Sequence, residues 1–499
     1  MKEKERNLFF NTSALTETKG LRSRANAGYI EGELKRRFPG EALSVRSISI
    51  NESGVYKRAL GSIRGLPPYC EVVVAHCTGK RTAEVIVWSP LAWNGRFWGT
   101  GGGGTATGGR GYITPPDNTS RGGTLPKAVL NGFTAATTDA GNPERFWALD
   151  GSGKRDWERL ENWHSRGTHY MTQVGRAVAE ILHDRPVEYS YYHGGSGGGR
   201  QGMVEAQEWP RDYDGVWVSC PAINWTKFLL QGLWPIAVMN TLDHRLSAKN
   251  IRRFMEAAQG SVGGRDAYYR RGEAVEFDPY TLVGTDGISK ADAEVMRRIW
   301  DGPRRANGER LWYAHRPGVL FWNVGIPVGA FYYSLIGHKP KPFILSADYG
   351  HWVTEEPKRR FDGITVEEYV ELFDKGMAEL GRFTADDPDL RPFADGGGKL
   401  LIDHGTDDPL IPVDGTLDYY RRMCEAVGGK TEADRFCRLY ITPGDGHGAC
   451  NWHGPGLTET EGMRALMAWV ERGEAPGRLE TVQVDKKGGT IGKGEAFPQ

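Results

Sequence analysis

The chain has 499 residues, with 63 Lys and Arg against 63 Asp and Glu, so no net field draws it to nucleic acid or to an anionic membrane surface. No apolar window of about 18 residues could span a bilayer, and the charged N-terminus lacks the apolar core of a secretion signal, so a cytoplasmic protein is the expectation. Sixteen Trp and 68 Gly suggest a loop-rich protein with aromatic-lined surfaces suited to flat apolar ligands, while six Cys without a C-x-x-C pair argue for free thiols and no metal cluster.

Residues 1 to about 65 are polar and charged and read as partly irregular. Cys70–Ala75, Ala83–Trp88 and Arg96–Gly99 then read as strands, and the last runs into a glycine-rich loop, Gly99–Gly109. That loop lacks the Lys-Ser/Thr end of a phosphate-binding loop and has no acidic residue where a dinucleotide fingerprint needs one. A further strand, Phe133–Thr138, ends at Asp139. Met171, Val174, Val178 and Ile181 recur at helical spacing and predict a helix over 167–183.

The run from Val187 to Tyr192 can form a buried strand, and it meets Gly194-Gly-Ser-Gly-Gly198 before a helix-compatible stretch. This is G-x-S-x-G in the strand–turn–helix context of a nucleophile elbow, and no other serine fits the spacing. Such a turn forces Ser196 into a sparsely populated backbone conformation and brings strand and helix too close for side chains two residues either side. The N–H of Gly197, at the helix N-terminus, would face a developing oxyanion. The Gly101–Gly104 loop, with Gly102 and Gly103 at its centre, could supply the second donor.

After Trp225 strand periodicity fades. Short helical stretches such as Ala291–Trp300 carry Trp234, Tyr268, Tyr269, Trp312, Trp322, Phe331 and Tyr332, which reads as a helical insertion whose aromatics are mostly its own core. From Lys399 the strand pattern returns with Leu400–His404, a helix around Leu417–Val427 and a last strand, Phe436–Thr442. The tail from about Val482 reads as loose. Strands alternating with helices point to an α/β fold with a mostly parallel sheet.

A serine hydroxyl needs a base, and the base an acid to orient it. Downstream, Asp407 and Asp408 follow one hydrophobic strand, and His447 sits on a Gly-rich loop after the next. Asp408 is preferred over Asp407, which could serve the turn alone. His447 is preferred over His404 and His453. Beyond strand C-termini all three groups could converge.

Several ordered blocks carry a resemblance: Trp93-Asn-Gly-Arg-Phe-Trp-Gly-Thr-Gly-Gly-Gly-Gly104, Asn131-Gly-Phe-Thr-Ala-Ala-Thr-Thr-Asp-Ala-Gly141, Tyr191-Tyr-His-Gly-Gly-Ser-Gly-Gly-Gly-Arg-Gln-Gly202, Gly398-Lys-Leu-Leu-Ile-Asp-His-Gly-Thr-Asp-Asp-Pro409 and Pro443-Gly-Asp-Gly-His447. Together they resemble the tannase/feruloyl esterase family of α/β-hydrolases. The resemblance implies a hydrolase core, residues 1–225 and 346–480, interrupted by a mainly helical lid, 226–345. It implies a serine esterase acting on small aromatic esters such as gallates or ferulates, with Ser196, Asp408 and His447 as triad and no cofactor. Acyl transfer, another aromatic ester and a non-catalytic aromatic-ligand binder are the alternatives. The family's paired cysteines beside the serine and the histidine are replaced by Gly195 and Gly448, so the histidine loop needs another anchor. The lid's calcium loop has lost most of its oxygen ligands over Gly260–Asp266, and no metal is expected. Oligomeric state is not readable.

Overall fold

The computed structural model describes residues 8–59, 61–116, 122–143, 147–319, 342–447, 453–485 and 489–499. Nine strands form one sheet: β1 (Ala42–Asn51), β2 (Tyr69–Thr78), β3 (Arg81–Pro90), β4 (Arg96–Thr100), β5 (Thr134–Thr138), β6 (Tyr189–Gly195), β7 (Gly215–Ser219), β8 (Lys399–Gly405) and β9 (Cys437–Thr442). Their order is β1-β2-β3-β5-β4-β6-β7-β8-β9. The first three are joined antiparallel and β3 meets β5 antiparallel. Every later pairing is parallel, for example Trp98 opposite Tyr191 and Tyr192 opposite Val216.

Central strands are covered on both faces, so β6, β7 and β8 are buried at almost every position, their His193, Asp403 and His404 included. On one face Val72, Val87 and Phe97 pack with Val178 of α1 (Gly167–His183) and Met203 of α2 (Gly197–Glu208). On the other, Ile86, Trp98, Tyr191 and Trp217 meet Met463 and Leu466, which lie on the C-terminal helix Glu459–Arg472. The edge strand β1 is half exposed. Its polar alternation is why the first 65 residues read as irregular, whereas they hold this strand and a helix, Ala27–Arg37, capped by Asn26. The tail also departs from expectation. Leu479–Val484 pairs antiparallel with Thr490–Ala496 and with Gly456–Leu457, so the described part of the tail is ordered as strands.

Between β7 and β8 the described chain is helical: α3 (Trp225–Gln231), α4 (Trp234–Thr241), α5 (Ala248–Gly260), α6 (Lys290–Asp301), α7 (Ile344–Thr354) and α8 (Val366–Leu380). A separate apolar core unites them through Trp225, Trp234, Phe254, Met296, Trp352 and Tyr369. Helix α6 starts at a reciprocal cap, Ser289 with Asp292, and α8 at Thr365 with Glu368. Trp322, Phe331 and Tyr332 lie outside the described residues. After β8, α9 (Val413–Ala426) leads to β9, and α10 (Glu459–Arg472) closes the sheet's second face. No helix among the described residues is long and apolar enough to cross a membrane.

Candidate active site

Spatial order reverses around β4, whose neighbours are β5 and β6, and a crevice beyond the strand C-termini at such a point is where ligands bind. Two segments emerge there side by side: the Gly101–Gly104 loop from β4 and the corner at Ser196 from β6.

Ser196 has φ 57° and ψ −121°, a conformation that is costly for a residue with a side chain. It is held because both its backbone polar groups are engaged. Its N–H donates to Ser219 O at 3.0 Å, and its carbonyl accepts from Ala222 N at 2.9 Å and Arg200 N at 3.0 Å. A Cβ on Gly194 would lie 2.5 Å from Gly198 O, and one on Gly198 would lie 2.8 Å from Gly102 O. Only glycine fits either place.

Among the described residues no acceptor takes up the N–H of Gly197 or of Gly103. Those two groups lie on facing segments, since a Cβ on Gly197 would come 2.5 Å from Gly104 O. Gly102 differs from expectation: its N–H donates to Gln201 Oε1 at 3.0 Å, so it is not open to an oxyanion. Gln201 in turn donates to Thr107 O at 2.9 Å and fixes the loop to α2. The sequence offered no sign of that role beyond Gln201 lying one turn after the corner.

Asp408 follows β8 and is fully buried. Its Oδ1 accepts from Leu410 N at 2.8 Å and Ile411 N at 3.0 Å. Its Oδ2 accepts from His447 Nδ1 at 2.7 Å and His404 Nε2 at 3.1 Å. Burial alone would raise the carboxyl's pKa, but the adjacent His447 and the hydrogen bonds from both imidazoles hold it well below the usual carboxylate range. Reciprocally, burial opposes charge on His447, yet Asp408 raises its pKa well above the ordinary imidazole value, with a further contribution from the Cys220 thiol. Cys220, Asp408 and His447 each place a donor atom within 4.8 Å of the others. No hydrogen bond joins Ser196 Oγ to His447 among the described residues.

The rival residues are engaged elsewhere or from behind. His404 is fully buried, with Nδ1 on Thr416 Oγ1 at 2.9 Å, and its link to Asp408 supports that carboxylate from behind. His453 donates from Nδ1 to Asp407 Oδ2 at 2.5 Å, and its ring stacks on Tyr269 at 4.3 Å. Asp407 N–H donates to Asp445 O at 3.0 Å, Gly444 N–H to Thr406 Oγ1 at 2.9 Å, and Gly454 N–H to Gly444 O at 2.7 Å. A Cβ on Gly405 would lie 2.1 Å from Asp445 O, which is how closely the two loops approach. These contacts anchor the segment before His447 where the family's cysteine pair is lacking. Gly448 and Cys450 lie outside the described residues, and Cys70, Cys77, Cys220, Cys424 and Cys437 are free.

A cleft of about 580 Å³ borders the loop, lined by Gly103, Gly104, Tyr112, Trp147, Ile344 and Leu345 among others.

A strained serine between strand and helix, at the order reversal of a sheet with this connectivity, places the fold among the α/β-hydrolases. The family pattern described as "Tannase and feruloyl esterase" matches residues 70–498. The chain belongs to that family and is a carboxylic ester hydrolase. A probable feruloyl esterase of Arthroderma benhamiae is 33% identical over 450 residues, covering 84% of this chain and 79% of that protein. A mono(2-hydroxyethyl) terephthalate hydrolase of Piscinibacter sakaiensis is 28% identical over 495 residues, covering 84% and 79%. Tannin acyl hydrolase from Aspergillus niger has a similar structure, with TM-score 0.76 at 20% identity, covering 97% of this chain and 93% of that one. Feruloyl esterase B from Aspergillus oryzae gives 0.75 at 20%, covering 94% and 95%.

Proposed function

We propose that the chain hydrolyses carboxylic esters of aromatic acids, of the gallate or ferulate kind, through an acyl-enzyme on Ser196. The observation that carries this is the strained Ser196 corner facing open N–H groups, in a molecule where Asp408 and His447 pair at 2.7 Å. His447 takes the hydroxyl proton as Oγ attacks the ester carbonyl, and Asp408 fixes the ring so that Nε2 is the basic nitrogen. Catalytic hydrogen bonds are often long in a free enzyme and tighten around substrate, so the Ser196–His447 contact forms in this reading when the ester is bound. The tetrahedral oxyanion is held by the N–H of Gly197 and of Gly103. His447 then returns the proton to the leaving alcohol, and water repeats the sequence on the acyl-enzyme.

The aromatic ring is assigned to the cleft beside Gly103 and Gly104, where Trp147, Tyr112 and Leu345 offer apolar cover. The helices between β7 and β8 act as its lid. A reducing compartment, the cytoplasm, is proposed with this reading, on the free state of five cysteines. The likeness to a terephthalate monoester hydrolase supports a second substrate reading, an aromatic ester whose alcohol side is small.

The test is Ser196→Ala with methyl gallate, methyl ferulate and a terephthalate monoester. Loss of turnover by at least about 10³-fold on whichever ester the wild type cleaves supports the reading. Unchanged turnover refutes it. Separate panels with Trp147→Ala then report which ring the cleft accepts.

A further inference from the structure

Cys220 has no part in the proposed hydrolysis, yet the backbone drives its sulfur into the middle of the site. It stands between Ser219, whose carbonyl accepts the Ser196 N–H, and Ala222, whose N–H returns to the Ser196 carbonyl. Its own N–H donates to Asp403 O at 2.7 Å, and it is held at φ 37°, which a cysteine adopts only under constraint. The thiol is fully buried on the protein side. A sulfur, an imidazole nitrogen and a carboxylate oxygen thus converge, all within 4.8 Å. A tetrahedral zinc ion, with bonds of about 2.0–2.3 Å, sets its donors roughly 3.3–3.8 Å apart, so small side-chain adjustments would bring these three onto one ion. A thiol becomes a ligand by releasing its proton. Of the three groups the His447 side chain is the most exposed, at 12%, and gives an ion its way in.

We propose that Cys220, Asp408 and His447 form a binding site for Zn²⁺ or a similar thiophilic divalent cation, and that occupancy switches the enzyme off. On binding, the Cys220 proton leaves to solvent, and the Asp408–His447 hydrogen bond opens as the ring proton moves from Nδ1 to Nε2 (any second ring proton leaving to solvent). Sulfur, Nδ1 and the carboxylate Oδ2 then donate to the metal, with water in the fourth position. The metal takes over His447, so the ring can no longer accept the Ser196 proton. Binding follows from the donors alone; the inhibition rests on the esterase reading above.

The experiment therefore separates the two. Ser196→Ala protein is titrated with Co²⁺, which stands in for Zn²⁺ and reports a cysteine ligand by a thiolate-to-cobalt charge-transfer absorbance. One equivalent of cobalt should give the band, which should vanish when Cys220→Ser is added and be lost or weakened at least tenfold in affinity with His447→Ala. A band that persists in Cys220→Ser, or none in the parent, overturns the proposal. On active protein, Zn²⁺ should inhibit ester hydrolysis reversibly, with activity restored by EDTA. In Cys220→Ser and Cys220→Ala, each scored against its own metal-free rate, the half-inhibitory zinc concentration should rise at least tenfold; an unchanged value overturns the inhibitory role. A wild-type protein that cleaves no ester sinks the catalytic reading while the cobalt band still decides the site.

Discussion

Asp408 serves two imidazoles, and the two uses differ. His404 is enclosed and bonded on both nitrogens, so it fixes the carboxylate. His447 is partly open on one side and carries the consequence in its charge. Because Asp408 raises its pKa, His447 binds its proton more tightly than a free imidazole, whose value is about 6.5. A general base must be neutral, so activity is lost as pH falls through the folded-state pKa, and the acid limb of kcat/KM should lie above 6.5. Asp408→Asn removes the stabilising charge and should move that limb downward while lowering kcat by roughly 10⁴, since the ring loses its preferred tautomer. A pH profile of both proteins checks the direction. A limb that stays in place in Asp408→Asn would mean that another group sets it.

At the scale of elements, the loop before His447 is held by the loop after β8. Asp407, one residue from the proposed acid, accepts from His453 and donates its N–H to Asp445 O. Asp407→Asn weakens a charge-assisted hydrogen bond in a buried place and should cost about 1–3 kcal/mol of stability. Its distinguishing effect is on turnover. Misplacing the His447 loop by an ångström can cost about 10²-fold, so kcat should fall with KM little changed. His453→Phe keeps the stack on Tyr269 and removes the hydrogen bond, so it should reproduce the kcat loss. Full activity in both variants would show that the loop is held without this pair. The Asp-Asp-Pro stretch reads, from sequence alone, as a candidate acid beside a turn residue. That the turn residue also anchors a loop through a histidine 46 positions later was not legible, because hydrogen bonding across that separation leaves no local pattern. The corner at Ser196 was legible because its steric demands fall on adjacent residues. The loop proposed to hold the oxyanion was legible only as a stretch: which glycine N–H is taken up depends on where Gln201 reaches.

Over the whole molecule the tryptophans decide how the helical insertion meets the sheet. Their number suggested aromatic surfaces, whereas Trp147, Trp163, Trp225 and Trp352 interlock as a buried joint, with Trp163 5.0 Å from Trp225 and 5.4 Å from Trp352. Composition counts rings but is silent on which surface they cover. The strand-poor insertion was visible in the sequence; its continuation past residue 345 through α7 and α8 was not, since α7 shows no apolar stripe and α8 carries the ordinary amphipathic pattern of a helix on any core. Arg200, one turn after Ser196, lies 3.8 Å over the Trp163 ring and donates to Phe383 O at 2.8 Å, so the helix that presents the serine is tied to the insertion core. Burial pulls the Arg200 pKa down to about 9, offset in part by Glu208, which leaves the guanidinium charged at neutral pH and dependent on its aromatic and carbonyl partners. Trp163→Ala opens a cavity at this joint and should lower stability by about 3–5 kcal/mol in denaturant unfolding. It also removes the face under Arg200, so kcat should fall even at temperatures where the variant is fully folded. A variant that loses stability but keeps wild-type kcat would show that the joint holds the two parts together without setting the position of Ser196.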